Sequence, residues 1–470
     1  MQKPDFPPSQ KYIVFFFLSS ALLLNFIIPP FQNPDEPQHF GTILTFNGDH
    51  AKKDRVETEI LSFMYRNMWP RFVGMGRPKV PPESFSETKF LTFSDFRSTV
   101  KYSVLYHIIL SQTLNIAFEN DIIGFYYFCR LISFLLILAS VLLCYSLFRN
   151  LFKIEDLDSN YLYWGAFFIL FNSQFLISSI SVNSDALSLF VSTVFFYASF
   201  RLIIGKFKVL FLALCILSSA LGVFIDKSGY LLIFMVLFLP LFVIKGEKIF
   251  HALLIIFFCS IFPLFIVFAL MQYFPTQIYS VLRNMKALLF DNIGMIPQIF
   301  SFSEFNKEYL LNFTDTFFLK FGWMAYSADR LFYWVWRIFL LSSTLGVVIF
   351  LGKYAYSRVR TFRLRSCDSP LFRIILFSLI AIFTQIINVR IYQGTKFILP
   401  QGRYLFPLIL PIAFIFILGL KSFFELFHKR AGQVAIMVFV LFQFFFFNYV
   451  VWNYLIPVFH LTVKSPHPGI

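Results

Sequence analysis

The chain has 470 residues, of which 58% are hydrophobic and only 14% charged, and its mean hydropathy is +0.71. Soluble domains carry about 25% charged residues and do not sustain repeated apolar runs of about 18 residues or more, so a soluble enzyme is excluded. The formal net charge of +15 resides mostly in short loops, where Lys and Arg set membrane orientation, and does not call for nucleic acid.

The chain reads as one all-α polytopic membrane domain over residues 1–470 with about 11 transmembrane helices. Lys3 and Lys11 precede the first apolar run, Tyr12 to Ile28, with no small-residue cleavage site behind it. This predicts an uncleaved anchor with a cytoplasmic N-terminus. Directly after it comes Asn33-Pro34-Asp35-Glu36-Pro37-Gln38-His39-Phe40. Two acids at a membrane edge are costly unless they stay in water or meet cations, so they are functional candidates. The same pair also suits the start of a helix, with Pro37 in its first turn and a carboxylate capping it.

Residues 31–123 form the first external segment, predicted to carry juxtamembrane helices. Within it, Tyr102 to Phe118 puts Ser103, His107, Ser111 and Asn115 four apart, one polar stripe on an otherwise apolar helix. Such a helix is expected to lie on the membrane surface, its stripe turned to water or protein. His107 on that stripe reads as an interface residue.

The second span, about 124–148, starts near Tyr126, Tyr127 and Arg130. Spans at about 161–182 and 186–204 are joined outside by Val182-Asn183-Ser184-Asp185, where Asp185 is either a cap or a second acid. A fifth span, about 209–225, ends outside at Asp226-Lys227-Ser228-Gly229. Lys227 there either pairs with Asp226, snorkels to headgroups or serves a substrate. The sixth span returns to the cytosolic Lys245-Gly246-Glu247-Lys248, and the seventh, about 249–271, opens into a second long external segment, 272–331. That segment contains Phe321-Gly322-Trp323, in which Trp323 is an interfacial anchor or a substrate contact.

The eighth span, about 332–352, leads to Lys353, Arg358, Arg360, Arg363 and Arg365, a firmly cytosolic loop. The ninth, about 372–388, exits before Gln401-Gly402-Arg403-Tyr404, and the eleventh, about 432–455, leaves the C-terminus extracytoplasmic. The five cysteines, at 129, 144, 215, 259 and 367, show no close pairing, so neither a disulfide framework nor a zinc site is expected.

This topology gathers Asp35, Glu36, His39, Arg130, Asp185, Lys227, Trp323, Gln401 and Arg403 at the outer face, while the spans between are nearly free of charge. A surface site fits that pattern better than an ion path through the midplane. Nucleotide sugars and ATP have no ready supply outside, so an activated group would arrive on a lipid phosphate. Arg403 can fork two hydrogen bonds to that phosphate and Lys227 can add a point charge. Gln401 and Tyr404 flank Arg403 in a tight turn between Pro400 and Pro407. Asp35 is then placed to accept a proton from an acceptor hydroxyl.

These motifs, in this order, resemble a bacterial membrane family of unknown function that stands near the GT-C glycosyltransferases. The resemblance rests on Pro34-Asp35-Glu36-Pro37 with His39-Phe40, the Asn183-Ser184-Asp185-Ala186 turn, Lys227, Phe321-Gly322-Trp323 and Gln401-Gly402-Arg403-Tyr404. It covers most of the chain, which departs from the family pattern at Ser184 and at Lys101 to Tyr106. The resemblance implies a GT-C-like fold in a bacterial plasma membrane and a polyprenyl-phosphate-linked sugar donor. The acceptor would be an envelope glycan, lipid or protein, and transfer would invert the anomeric centre. It implies Asp35 as base, Glu36 and His39 supporting it or touching the acceptor, and Asp185 as a second acid. Lys227, Arg403, Gln401 and Tyr404 would hold the donor phosphate, and Arg130 and Trp323 would contact substrate. Some GT-C enzymes hold a divalent metal (Mg or Mn) at their acidic residues and some do not; here Asp35 and Asp185 would be its ligands. A lipid-linked oligosaccharide flippase and a non-catalytic binding subunit are the alternatives.

Overall fold

The computed structural model describes residues 10–28, 30, 33, 36–45, 104–117, 122–154, 172–205, 209–225, 227–244, 255–259, 261–262, 265–266, 307–318, 320–321, 326–360, 369–393 and 401–459. Nearly all of them are helical. Among the described residues, six helices are long and apolar enough to cross a membrane: Ile123–Leu151, Asp185–Ile203, Arg330–Tyr356, Pro370–Val389, Gly402–Phe424 and Ala431–Leu455. Three shorter apolar helices, Val14–Ile27, Val209–Ile225 and Tyr230–Val243, coincide with the predicted first, fifth and sixth spans. Most of the predicted third and seventh spans lies outside the described residues.

In chain order the elements are α1 (Gln10–Ile27), α2 (Glu36–Thr45), α3 (Val104–Ala117), α4 (Ile122–Ile154), α5 (Ser173–Ser179), α6 (Asp185–Ile203), α7 (Val209–Ile225) and α8 (Tyr230–Val243). They continue with α9 (Lys307–Phe318), the antiparallel pair β1 (Lys320–Phe321) and β2 (Tyr326–Ser327), α10 (Arg330–Arg360), α11 (Pro370–Gln393), α12 (Ile409–Phe424), α13 (Ala431–Val450) and α14 (Ile456–Phe459). Two 3-10 turns, Lys227–Gly229 and Gly402–Leu408, open α8 and α12. Pro407 and Pro411 explain the second, since neither has an N–H for a regular helical ladder.

A large core cluster, mainly of Leu, Ile, Val and Phe side chains, runs through α1, α4, α6, α7, α8, α10, α11, α12 and α13. Lipid is as apolar as this core, so close contact rather than water exclusion must hold spanning helices together. The crossing of α10 with α12 shows how. A Cβ on Gly346 would sit 1.8 Å from the carbonyl oxygen of Gly419, so the two backbones touch only because both residues are glycine. Beside them, the Ser343 hydroxyl donates to the Phe416 carbonyl at 2.9 Å.

The bundle has two distinct ends. At one, Arg373 in the first turn of α11 is buried and donates to the carbonyls of Phe242 (2.6 Å) and Ile203 (2.9 Å). One guanidinium thereby caps the C-terminal ends of α6 and α8, where the helix dipole favours a cation. The other end carries the sequence motifs.

Candidate functional site

The motif end is assembled around Glu36. Its carboxylate accepts from Arg130 Nε and Nη2, both at 3.0 Å, and from the backbone N–H of Val182 at 2.9 Å. Both side chains are buried, 0% exposed for Glu36 and 2% for Arg130. The remaining guanidinium edge reaches the Ile28 carbonyl at 3.3 Å and Asn25 Oδ1 at 3.4 Å. Arg130 also stands over the Tyr126 ring, 5.0 Å from its centroid. A buried pair is tolerable only with such full satisfaction. Its effect is to pin the end of α1, the start of α2, α4 and the Val182 turn to one another. Arg130, expected beside a substrate, therefore has protein groups as its partners, and Glu36 is engaged in the same way.

His39, one turn along α2, meets His107 of α3, Nδ1 to Nε2 at 3.0 Å with the rings stacked. His107 and Ser111 are both buried, so the polar stripe of α3 turns into the protein, while Ile109 faces outward. Of the two environments the stripe needed, the structure supplies protein. Tyr106 lies beside His107, its hydroxyl 3.1 Å from Ser133 of α4 and in reach of the Asn183 backbone. Burial pushes the Tyr106 phenol up from its ordinary value, so it stays protonated.

The Val182–Asp185 turn is ordered by its own side chains. Asn183 Oδ1 accepts from the Asp185 N–H at 2.9 Å, and Asn183 Nδ2 donates to Asp185 Oδ2 at 3.2 Å. Ser184 takes the N-cap position without a side-chain cap bond, which puts Asp185 in the first turn of α6, complementing the helix dipole. Ser188, one turn on, meets Ser228 at 2.9 Å, which joins α6 to the Lys227–Gly229 turn.

The Gln401-Gly402-Arg403-Tyr404 motif forms the second 3-10 turn, which touches α6, α9, α11 and the Lys227–Gly229 turn. Gly402 is required there by proximity: a Cβ would lie 2.2 Å from the Phe317 backbone nitrogen. The Gly402 N–H donates to Thr316 Oγ1 at 2.7 Å, and the Tyr404 carbonyl accepts from Gln385 of α11 at 2.7 Å. Gln401 begins the turn in extended conformation. Arg403 is half-buried, its guanidinium 5.7 Å from the centre of the Tyr404 ring.

Of the residues singled out by sequence, Glu36, His39, Arg130, Asp185, Gln401, Arg403 and Tyr404 all stand at this end. Asp35 and Trp323 lie outside the described residues, as does the side chain of Lys227, whose backbone opens the first 3-10 turn. Among the described residues no three His, Cys, Asp or Glu side chains gather as a metal site. Four of the cysteines, Cys129, Cys144, Cys215 and Cys259, are buried thiols.

Several contributors to this end were not singled out by sequence. The Asn172 side chain caps α5 and bonds the Phe317 carbonyl at 3.2 Å, docking α9. Asp315 of α9 pairs with Arg337 of α10 at 2.8 Å. Asn33, first residue of the acidic motif, is buried with neither amide atom hydrogen-bonded. An orphaned buried amide is unusual in a native protein. Gln385 and Asn388 had a usable signal, being polar residues within an apolar span. No family model matches the chain, and no curated protein is significantly similar to it.

Proposed function

We propose that this protein transfers a sugar from a polyprenyl-phosphate-linked donor to an envelope glycan, lipid or protein acceptor at the extracytoplasmic face of a bacterial plasma membrane. The observation that carries the reading is the convergence, at one end of a membrane bundle, of Glu36, Arg130, Asp185, the Lys227 turn and the Arg403 turn, from segments far apart in sequence. A scaffold with no chemistry at that end would need no buried ion pair there, since apolar packing of similar volume serves stability as well.

Glu36 is engaged in building the site, so in this reading the chemistry is assigned to Asp35, the other acid of the motif. Asp35 takes the proton from an acceptor hydroxyl as its oxygen attacks the anomeric carbon. The new glycosidic bond forms as the bond from that carbon to the donor phosphate oxygen breaks. The electron pair leaves with the lipid phosphate, whose charge Arg403 and Lys227 stabilise. Attack opposite the leaving group inverts the anomeric centre. Asp185, in the first turn of α6, would orient the acceptor, or would share with Asp35 the holding of a divalent metal that offsets phosphate charge.

The test replaces Asp35 with Asn, confirms membrane insertion, and compares envelope glycans by mass spectrometry with those of a deletion strain. The reading expects both strains to lose the same glycan species. An unchanged glycan profile in both would overturn it.

A further inference from the structure

A cavity of about 400 Å³ lies between α9, α10, α11 and α12, within the range of ligand pockets. It is lined almost wholly by apolar side chains from these helices and Leu405. Two of its hydroxyls are already engaged, Ser343 with the Phe416 carbonyl and Thr344 with the Leu340 carbonyl. The walls therefore favour a hydrocarbon and offer little to a polar ligand.

Shape narrows the occupant. On α10 the lining runs from Trp336 to Leu351, which at 1.5 Å per residue is roughly 22 Å of helix. The hydrocarbon core of a bilayer is about 30 Å thick, so one leaflet is about half of that. A phospholipid acyl chain ends near the midplane and would leave the far part of the groove empty; a long isoprenoid chain does not. The groove is also open sideways, since Thr344 and Val348 are exposed, Val348 by 62%, on a face of α10 that meets lipid in a membrane.

Its upper end is continuous with the phosphate-binding turn. Leu405 lines the groove and directly follows Tyr404, and both pack against the small cluster formed by Val389 and Phe313, another lining residue. The Arg403 guanidinium is stationed over that same Tyr404 ring. A phosphate at Arg403 thus has an apolar channel beginning within two residues of it.

We infer that this groove binds the isoprenoid chain of the lipid phosphate, entering sideways from the bilayer and running from the Arg403 turn past the middle of α10. The inference rests on the proposed lipid-phosphate donor but concerns chain binding alone.

A photoreactive benzophenone side chain placed at Thr344, Val348 or Leu351 tests it, with Leu341, 61% exposed but outside the groove, as the control position. The purified protein is placed in nanodiscs of palmitoyl-oleoyl phosphatidylglycerol, given a long-chain polyprenyl phosphate and irradiated, and the adducts are read by mass spectrometry. Polyprenyl adducts at least several-fold above the Leu341 level at all three positions, Leu351 included, are expected. A Val348→Trp protein of unchanged melting temperature should lose them. Phospholipid adducts alone, or no excess over Leu341, would overturn the inference. Polyprenyl adducts in a protein whose deletion leaves all envelope glycans intact would sink the transferase reading while the groove stands. Glycan loss in the Asp35→Asn strain without polyprenyl adducts would do the reverse.

Discussion

The two ends of the bundle each bury an arginine, and use it differently. Arg373 at the basic-loop end caps two helices through their carbonyl oxygens. Arg130 at the motif end is joined to a buried carboxylate, and that carboxylate in turn holds a backbone N–H from a turn 146 residues away in sequence. Helix capping satisfies groups that would be orphaned anyway. An ion pair removed from water gains little over apolar packing, so the Glu36–Arg130 pair points to a demand for fixed geometry at the motif end.

The largest effect is expected from splitting that pair. Glu36→Gln leaves the Arg130 charge buried beside an amide, and stability should fall by about 3–5 kcal/mol. Thermal unfolding of the detergent-solubilised protein measures this. Replacing both residues with Met should recover much of the loss without restoring the glycan product, because the packing returns and the anchored Val182 turn does not. Recovery of product in the double variant would show that the pair has no positioning role.

At the opposite end, Arg373→Ala removes two charge-assisted bonds and should cost about 1.5–3 kcal/mol, with no change in the glycan product per molecule of folded protein. A smaller effect is expected from Gly402→Ala, where the added methyl forces α9 away from the Arg403 turn. Overpacking of this kind costs about 1–3 kcal/mol. Product per folded molecule should fall here as well, in contrast to Arg373→Ala, since the turn itself moves.

Much of this was legible in the sequence. Long apolar runs broken by Lys and Arg placed the helices, because a bilayer admits few other solutions. The clustering of Glu36, Asp185 and Arg403 at one end followed from helices that alternate in direction. The polar stripe of α3 was visible, but in a membrane both lipid and core are apolar, so periodicity alone could not say that His107 turns inward to His39. Helix α9 was hidden in the 272–331 segment because its mean hydropathy is low. What orders it is contact with partners distant in sequence, Asn172, Arg337 and Gly402. Arg373 was not singled out in the sequence, because its role comes only from the arrival of the ends of α6 and α8.

The most direct test of the account compares Arg403→Ala with Arg373→Ala in a deletion strain, measuring the envelope glycan by mass spectrometry against membrane protein level. If Arg403 holds the donor phosphate, Arg403→Ala abolishes the product in a protein of normal abundance, while Arg373→Ala keeps it in proportion to the protein present. Equal product per molecule from the two variants would contradict it.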